Sequence, residues 1–188
     1  MARYRVMITY TAQEQAEPGR ALRFVGKLGG GNLAAARQRG LALLRELGLA
    51  AGIKFDSAPT AEHVFIEGVE PRAEVLLEVG ALEFTPGTFC MSLTGPLDSV
   101  TALRLDQEVY RLQSLGARAL AIDFSHVHPF TSAGLGVLLN LNDRLAVHLV
   151  KFPANARKLL QTLGLEPSLA IHNSFPEALH ALQGRLES

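Results

Sequence analysis

Thr131 and Ser132 stand directly ahead of Ala133, Gly134, Leu135 and Gly136, two hydroxyls followed by a run with little side-chain bulk. Side-chain oxygens of these types accept hydrogen bonds from the free amides that open a helix, so the residues predict a helix start. Gly134 and Gly136 leave its first turn almost uncovered. A helix N-terminus also carries unpaired N–H groups and the positive end of the dipole. A phosphate esterified to Ser132 would therefore cost less there than elsewhere on the surface. Spacing alone leaves two readings: an ordinary helix cap, or a hydroxyl that holds a removable charge.

Three other constellations carry chemistry on paper. Ser132, His128 and Asp123 could form a hydrolase triad, but Ser132 lacks a G-x-S-x-G elbow and the three follow one another along a single strand and turn. No enzymatic activity is expected. His126 and His128 are two residues apart and would face the same way in extended chain, a start for a metal or pH-sensing site. With no third ligand in sight, solvated loop histidines are expected and no metal. Gly26-Lys27-Leu28-Gly29-Gly30-Gly31 invites a phosphate-loop reading, yet the lysine precedes the glycines and no Ser or Thr follows in the required place. A flexible connector is expected, with no cofactor.

The elements around Ser132 are legible. Ala119 to Phe124 is an almost unbroken apolar run, as in a central strand covered on both faces. Pro129 biases His128 away from helical geometry and closes that strand, giving a short loop before the helix. Leu135, Leu138, Leu139, Asn142 and Leu145 then recur at helical spacing.

The chain has 188 residues, with 18 Lys plus Arg against 18 Asp plus Glu and a pI of about 7.0. That balance points to neither nucleic acid nor an anionic membrane surface. The single cysteine, Cys90, lies in a predicted strand and cannot form an internal disulfide, which suits a reducing compartment. No apolar run is long enough to span a bilayer, and the alternating MARYRVMITY does not resemble a signal peptide. A soluble, cytoplasmic protein without membrane insertion is expected.

In order, residues 3–10 alternate as a half-buried strand, Gln13 to Gly19 turn, and Leu22 to Gly26 return, so a hairpin is predicted. Asn32 caps a helix ending at Gly48; Gly52 to Asp56 and His63 to Glu67 read as strands, and a helix from Pro71 runs to Gly80. Thr85-Pro86-Gly87-Thr88 breaks the pattern, which sets a boundary between a first domain at 1–86 and a second at 88–188. The second opens with a strand from Phe89, a helix capped by Asp98 or Ser99, and the central strand and Ser132 helix. A strand at Val147 to Val150, a helix from Pro153, a short strand at Leu169 to Ile171 and a helix capped at Ser174 complete it. The alternation implies an α/β layer fold. Phe24-Val25-Gly26-Lys27-Leu28 echoes Leu93-Thr94-Gly95-Pro96-Leu97, each ahead of a helix ending Leu-x-x-Leu-Gly. This fits a degenerate repeat or the likeness any two α/β units share.

Asp123-Phe124-Ser125, then Thr131 to Gly136, resembles the signature of the STAS domains, the sulfate-transporter and anti-sigma-factor-antagonist family, which read D-x-S and D-S-[SA]-G-L-G. Gly95, Leu97 and Asp98 match the family's G-x-L-D corner, and the resemblance covers about residues 88–188. It implies a mixed sheet with helices, preceded by a smaller α/β domain that on the repeat reading is STAS-like without its switch helix. It also implies a non-enzymatic regulator that docks on a partner through Asp98, Ser125, Thr131, Ser132, Ala133, Gly134, Leu135 and Gly136. The implied partner is an anti-sigma factor that is also a serine kinase of the histidine-kinase-like ATPase type. Other STAS proteins and a homodimer are further partner classes. Phosphorylation of Ser132 would break the contact. Thr131 stands where phosphorylated members commonly carry Asp, which removes a kinase-recognition charge and makes Thr131 itself a candidate acceptor. The alternative is a constitutive scaffold subunit, in a stress-signalling assembly or beside a membrane lipid transporter, never phosphorylated.

Overall fold

Apolar side chains every second residue bring the N-terminal segment into a sheet, with Tyr4, Val6 and Ile8 buried on one side of its first strand. In the computed structural model, which describes residues 2–13, 18–55, 64–70 and 77–186, this strand β1 (Ala2–Gln13) pairs antiparallel with β2 (Pro18–Gly30). Asn32 then caps α1 (Leu33–Ala50), its side chain accepting from the Ala35 amide at 2.8 Å. β3 (Val64–Glu70) returns beside β1. β4 (Glu78–Thr85) and β5 (Thr88–Leu97) form a second hairpin that joins the first through β2 and β4. There follow α2 (Ser99–Ser114), β6 (Ala119–Phe130), α3 (Ser132–Asn142), β7 (Ala146–Val150), α4 (Ala154–Thr162), β8 (Ala170–His172) and α5 (Phe175–Leu186).

The result is a single eight-stranded mixed sheet, ordered β3-β1-β2-β4-β5-β6-β7-β8, with β5 to β8 parallel. Its two apolar layers lie on the two faces of the sheet. One joins Val25, Val79 and Phe89 to α2, α3 and α4; the other joins Phe24, Leu82, Cys90 and Ala121 to α1 and α5. The division expected at residues 86–88 falls in the tight β4–β5 turn, and both layers run across it. Cys90 is fully buried and desolvation raises its thiol pKa to about 12, so it is a packing residue.

Two of the βαβ crossovers explain why helices cover both faces. β2 and β5 point the same way, each being antiparallel to β4. From β2 the chain passes through α1 to β3 on one side of the sheet, while from β5 it passes through α2 to β6 on the other. Keeping one hand for both crossovers requires their helices to lie on opposite faces, which is what is seen. The landing positions also differ. β6 lies next to β5, whereas β3 lies beyond β1, so the sequence echo between the halves does not extend to a shared strand order.

Five expectations are corrected. The run from Gly26 to Gly30 is strand, neither connector nor phosphate loop; a Cβ on Gly26 would come within 3.0 Å of the Phe24 ring, which also lies against Gly80. Residues 78–80 are strand and not the end of a helix, because ladder partners on both sides decide what a short apolar run leaves ambiguous. Residues 53–55 join no ladder, and α1 continues past Gly48 to Ala50. The loop expected after Phe124 is the second half of β6. The expected turn residues 14–17, the strand residues Asp56 and His63 and the helical residues 71–76 lie outside the described residues.

Candidate functional site

β5 and β6 end side by side, and each delivers a helix start to the same corner. Leu97, fully buried, closes β5, and Asp98 caps α2. The Asp98 carboxylate accepts from the amides of Val100 and Thr101 at 2.9 and 3.0 Å, and the Thr101 hydroxyl in turn accepts from the Asp98 amide at 2.8 Å. This reciprocal capping box fixes the direction in which α2 leaves. Two register shifts in β6, between the pairs Ser92↔Asp123 and Thr94↔His126 and between Gly95↔Val127 and Leu97↔Phe130, each put an extra residue on β6. Bulges of this kind bend a strand and re-aim its side chains. They carry the chain to Thr131, whose amide and hydroxyl both donate to the Leu97 carbonyl, at 3.1 and 3.2 Å. Thr131 is the N-cap of α3, but its hydroxyl makes no capping bond.

The α3 start is therefore pinned to the end of β5, with Ser132 exposed beyond the pin. Gly134 is buried because Leu97 lies against it. Gly136 faces open space, with nothing within 4 Å of where a Cβ would stand. It lines a groove of about 410 Å³ between α2 and α3, with Ala133 and Val137 on one wall and Ser99, Leu103 and Asp106 on the other. Asp106 is paired with Arg144. At the groove wall and beyond it, α2 exposes Leu103 at 67%, with Val100 and Tyr110 at 51 and 66%. Large apolar side chains this exposed on one helix face suit a docking surface. Sequence reasoning did not single these out. Their signal was an apolar series lying off the main Ala102–Leu105–Val109–Leu112 stripe.

Of the residues singled out from the sequence, Asp98, Thr131, Ser132, Ala133, Gly134, Leu135 and Gly136 gather at this corner, with Leu135 buried. Ser125 does not. It lies on the opposite face of the sheet, its amide and hydroxyl donating to Asp123 at 2.8 and 2.5 Å. Among the described residues no hydrogen bond links Asp123, His128 and Ser132 as a triad would require, and Asp123 is engaged by Ser125 instead. His126 shares the cavity of Ser125, while His128 is exposed and outside it. Among the described residues no group of three or more His, Cys, Asp or Glu side chains could hold a metal ion.

Asp98 makes the corner acid-sensitive. The Thr101 amide, ahead of the Val100 amide and the Thr101 hydroxyl, holds its carboxyl below the usual aspartate range. The cap therefore contributes fully above the unfolded value of about 3.9, and its contribution is lost as pH falls through the lower folded value. The urea midpoint should drop more between neutral pH and pH about 3 in the native protein than in Asp98→Asn, whose amide oxygen caps at any pH. Equal drops would remove Asp98 as a cause.

Residues 81–178 match the sequence model of the STAS domain. No curated protein matches the chain. An anti-sigma factor antagonist from Mycobacterium paratuberculosis superposes with a TM-score of 0.51 at 25% identity, over 59% of this chain and 97% of that one. SpoIIAA in its unphosphorylated form gives 0.47 at 20% identity, over 54% and 92%; the phosphorylated Bacillus SpoIIAA gives 0.43 at 21%, over 53% and 94%. Among the described residues no helix is long and apolar enough to cross a membrane. The match begins inside β4, takes in the β5 corner, β6 and the Ser132 turn, and extends into α5, more than half of the sequence: the chain belongs to the STAS domain family.

Proposed function

We propose that the protein is a non-enzymatic regulatory module that docks a partner protein on its α2–α3 face and is switched by phosphorylation of Ser132, in the manner of an anti-sigma factor antagonist. The observation that carries this reading is the exposed Ser132 at the open end of α3, beside the groove and the exposed Val100 and Leu103. A phosphate there brings about two negative charges to a surface that must otherwise pack against an apolar partner. The partner class is an anti-sigma factor with serine-kinase activity, met in the cytoplasm. Thr131 is the weaker acceptor, since its hydroxyl is turned onto the Leu97 carbonyl. The same Thr131, in place of an aspartate, favours a second reading, an unphosphorylated scaffold subunit that uses the corner for docking alone.

Intact mass and peptide mapping of the protein from its host, during growth and stress, separate the two. A phosphate on Ser132 with changing occupancy supports the switch; none under any condition leaves the scaffold. Ser132→Asp should weaken binding to the kinase partner by about tenfold or more with an unchanged unfolding midpoint, because the charge is tolerated at a helix start and not in an interface. An unaltered affinity would sink the switch.

A further inference from the structure

A second cavity, of about 240 Å³, lies on the other face of the sheet, over the middle of β5 and β6 and at the carboxyl end of β7. Its floor is Ser92 and Leu93 of β5 with Asp123 and Ser125 of β6, and Lys151 follows directly on β7. Two helix ends wall it. Glu46, Leu47 and Ala50 belong to the last turns of α1, and Phe175 is the first residue of α5. The α1 wall lies outside the residues that match the STAS model, so a STAS domain by itself would not build this cavity.

Charged groups of both signs line the cavity. The Asp123 carboxylate is one-sixth exposed, and Glu46 adds a second acidic group from the last turns of α1. The Lys151 ammonium lies 4.0 Å from the Asp123 carboxylate, and the start of α5 adds the positive end of a helix to the wall. Lys151 also has a φ of 51°, the left-handed region that non-glycine residues rarely occupy, and its amide is held by the His172 carbonyl at 2.9 Å. Leu47, Ala50, Leu93 and Phe175 supply apolar lining, and Ser92 and His126 further polar groups.

We propose that this cavity binds a small zwitterion of the aliphatic α-amino-acid class. Its ammonium would lie toward Asp123 and Glu46 and its carboxylate toward Lys151 and the start of α5. An α-amino acid carries its two charges on groups bonded to one carbon, so it fits head-to-tail across the Asp123–Lys151 pair while its side chain covers the apolar wall. A lone amine or a lone carboxylate satisfies one pole and leaves the other as it was. The proposal is independent of phosphorylation at Ser132, which lies at the other corner.

Isothermal titration calorimetry of the full chain with leucine, isoleucine, valine and methionine, in their l forms, tests it. 4-Methylpentanoate and 3-methylbutylamine are the single-charge controls. At least one amino acid should bind saturably at millimolar concentration or below, with the controls weaker by about tenfold or more, the usual effect of losing a charge-assisted contact. Lys151→Gly should lose that binding without losing its unfolding midpoint, because glycine suits the left-handed backbone. Asp123→Asn should lose binding while keeping an oxygen for Ser125. Absence of saturable heat with all four amino acids overturns the proposal. So do controls that bind as well, or a folded Lys151→Gly that binds as the native protein does.

Discussion

Phe124→Ala should lower folding stability by about 3–5 kcal/mol, the range for truncating a well-packed buried aromatic. Phe124 is 2% exposed and is one of three rings that meet edge to face. Its centroid lies 5.2 Å from Phe152 and 6.2 Å from Phe130, and those two are 5.3 Å apart. Such pairs add about 0.5–1.5 kcal/mol beyond the area they bury, which places the loss toward the top of the range. The rings are held by β6 and by the segment after β7, elements tied into the sheet, so the site cannot collapse to refill the void. Phe130 is the residue before Thr131, which extends the consequence to the functional corner: the same variant should loosen the turn that presents Ser132. Urea unfolding checks the first effect, and amide hydrogen exchange at residues 131–135 the second. A loss below about 1 kcal/mol would mean that the three rings do not pack as a unit.

The two glycines of the α3 start should respond to alanine with different signs. At Gly134 a Cβ would stand 2.9 Å from Leu97 Cγ and 3.0 Å from the Leu97 carbonyl oxygen, atoms at the centre of the corner and not at the end of a flexible side chain. At Gly136 it would meet nothing within 4 Å. Both substitutions gain a similar helix propensity, up to about 1 kcal/mol, so the difference between them isolates the overpacking, about 1–3 kcal/mol. Gly136→Ala should therefore be as stable as the native protein or more so, and Gly134→Ala less stable. On the docking reading, Gly136→Ala also places a methyl in the groove and should weaken partner binding in a better-folded protein. Equal midpoints for the two variants would show that Leu97 yields easily and that Gly134 is not needed for its size.

Where the deciding partners are close in sequence, sequence reasoning reached the structure directly. Asn32 reaches the Ala35 amide, Asp98 those of Val100 and Thr101, and Ser174 that of Glu177 at 3.4 Å, all within three residues. Ser174 and Glu177 complete their cap through the Asn173 amide, which donates to Glu177 at 3.0 Å. The period-two burial of Tyr4, Val6 and Ile8 is equally local. The STAS signature lies in the same class, since Thr131 to Gly136 are contiguous and their types alone describe a bare helix start.

What the tertiary structure decided depends on partners far away. The glycine run after Gly26 is strand because Lys27 pairs with Val79, and residues 78–80 are strand because they pair with β2 and β5. β6 outlasts its apolar run because β5 continues beside it, pairing Thr94 with His126. Ser125, grouped with the Ser132 turn on sequence, faces the cavity built by α1 and α5, since a strand sends neighbouring side chains to opposite faces and only the bulges determine which. The chain's own sequence thus determined its caps, its periodicities, its family and the turn that carries Ser132, all matters of contacts within a few residues. The joining of both halves into one sheet, the groove beside α2 and the second cavity were decided only by tertiary structure. Each needs residues tens of positions apart to meet, and side-chain type does not encode which distant strand or helix will be the neighbour.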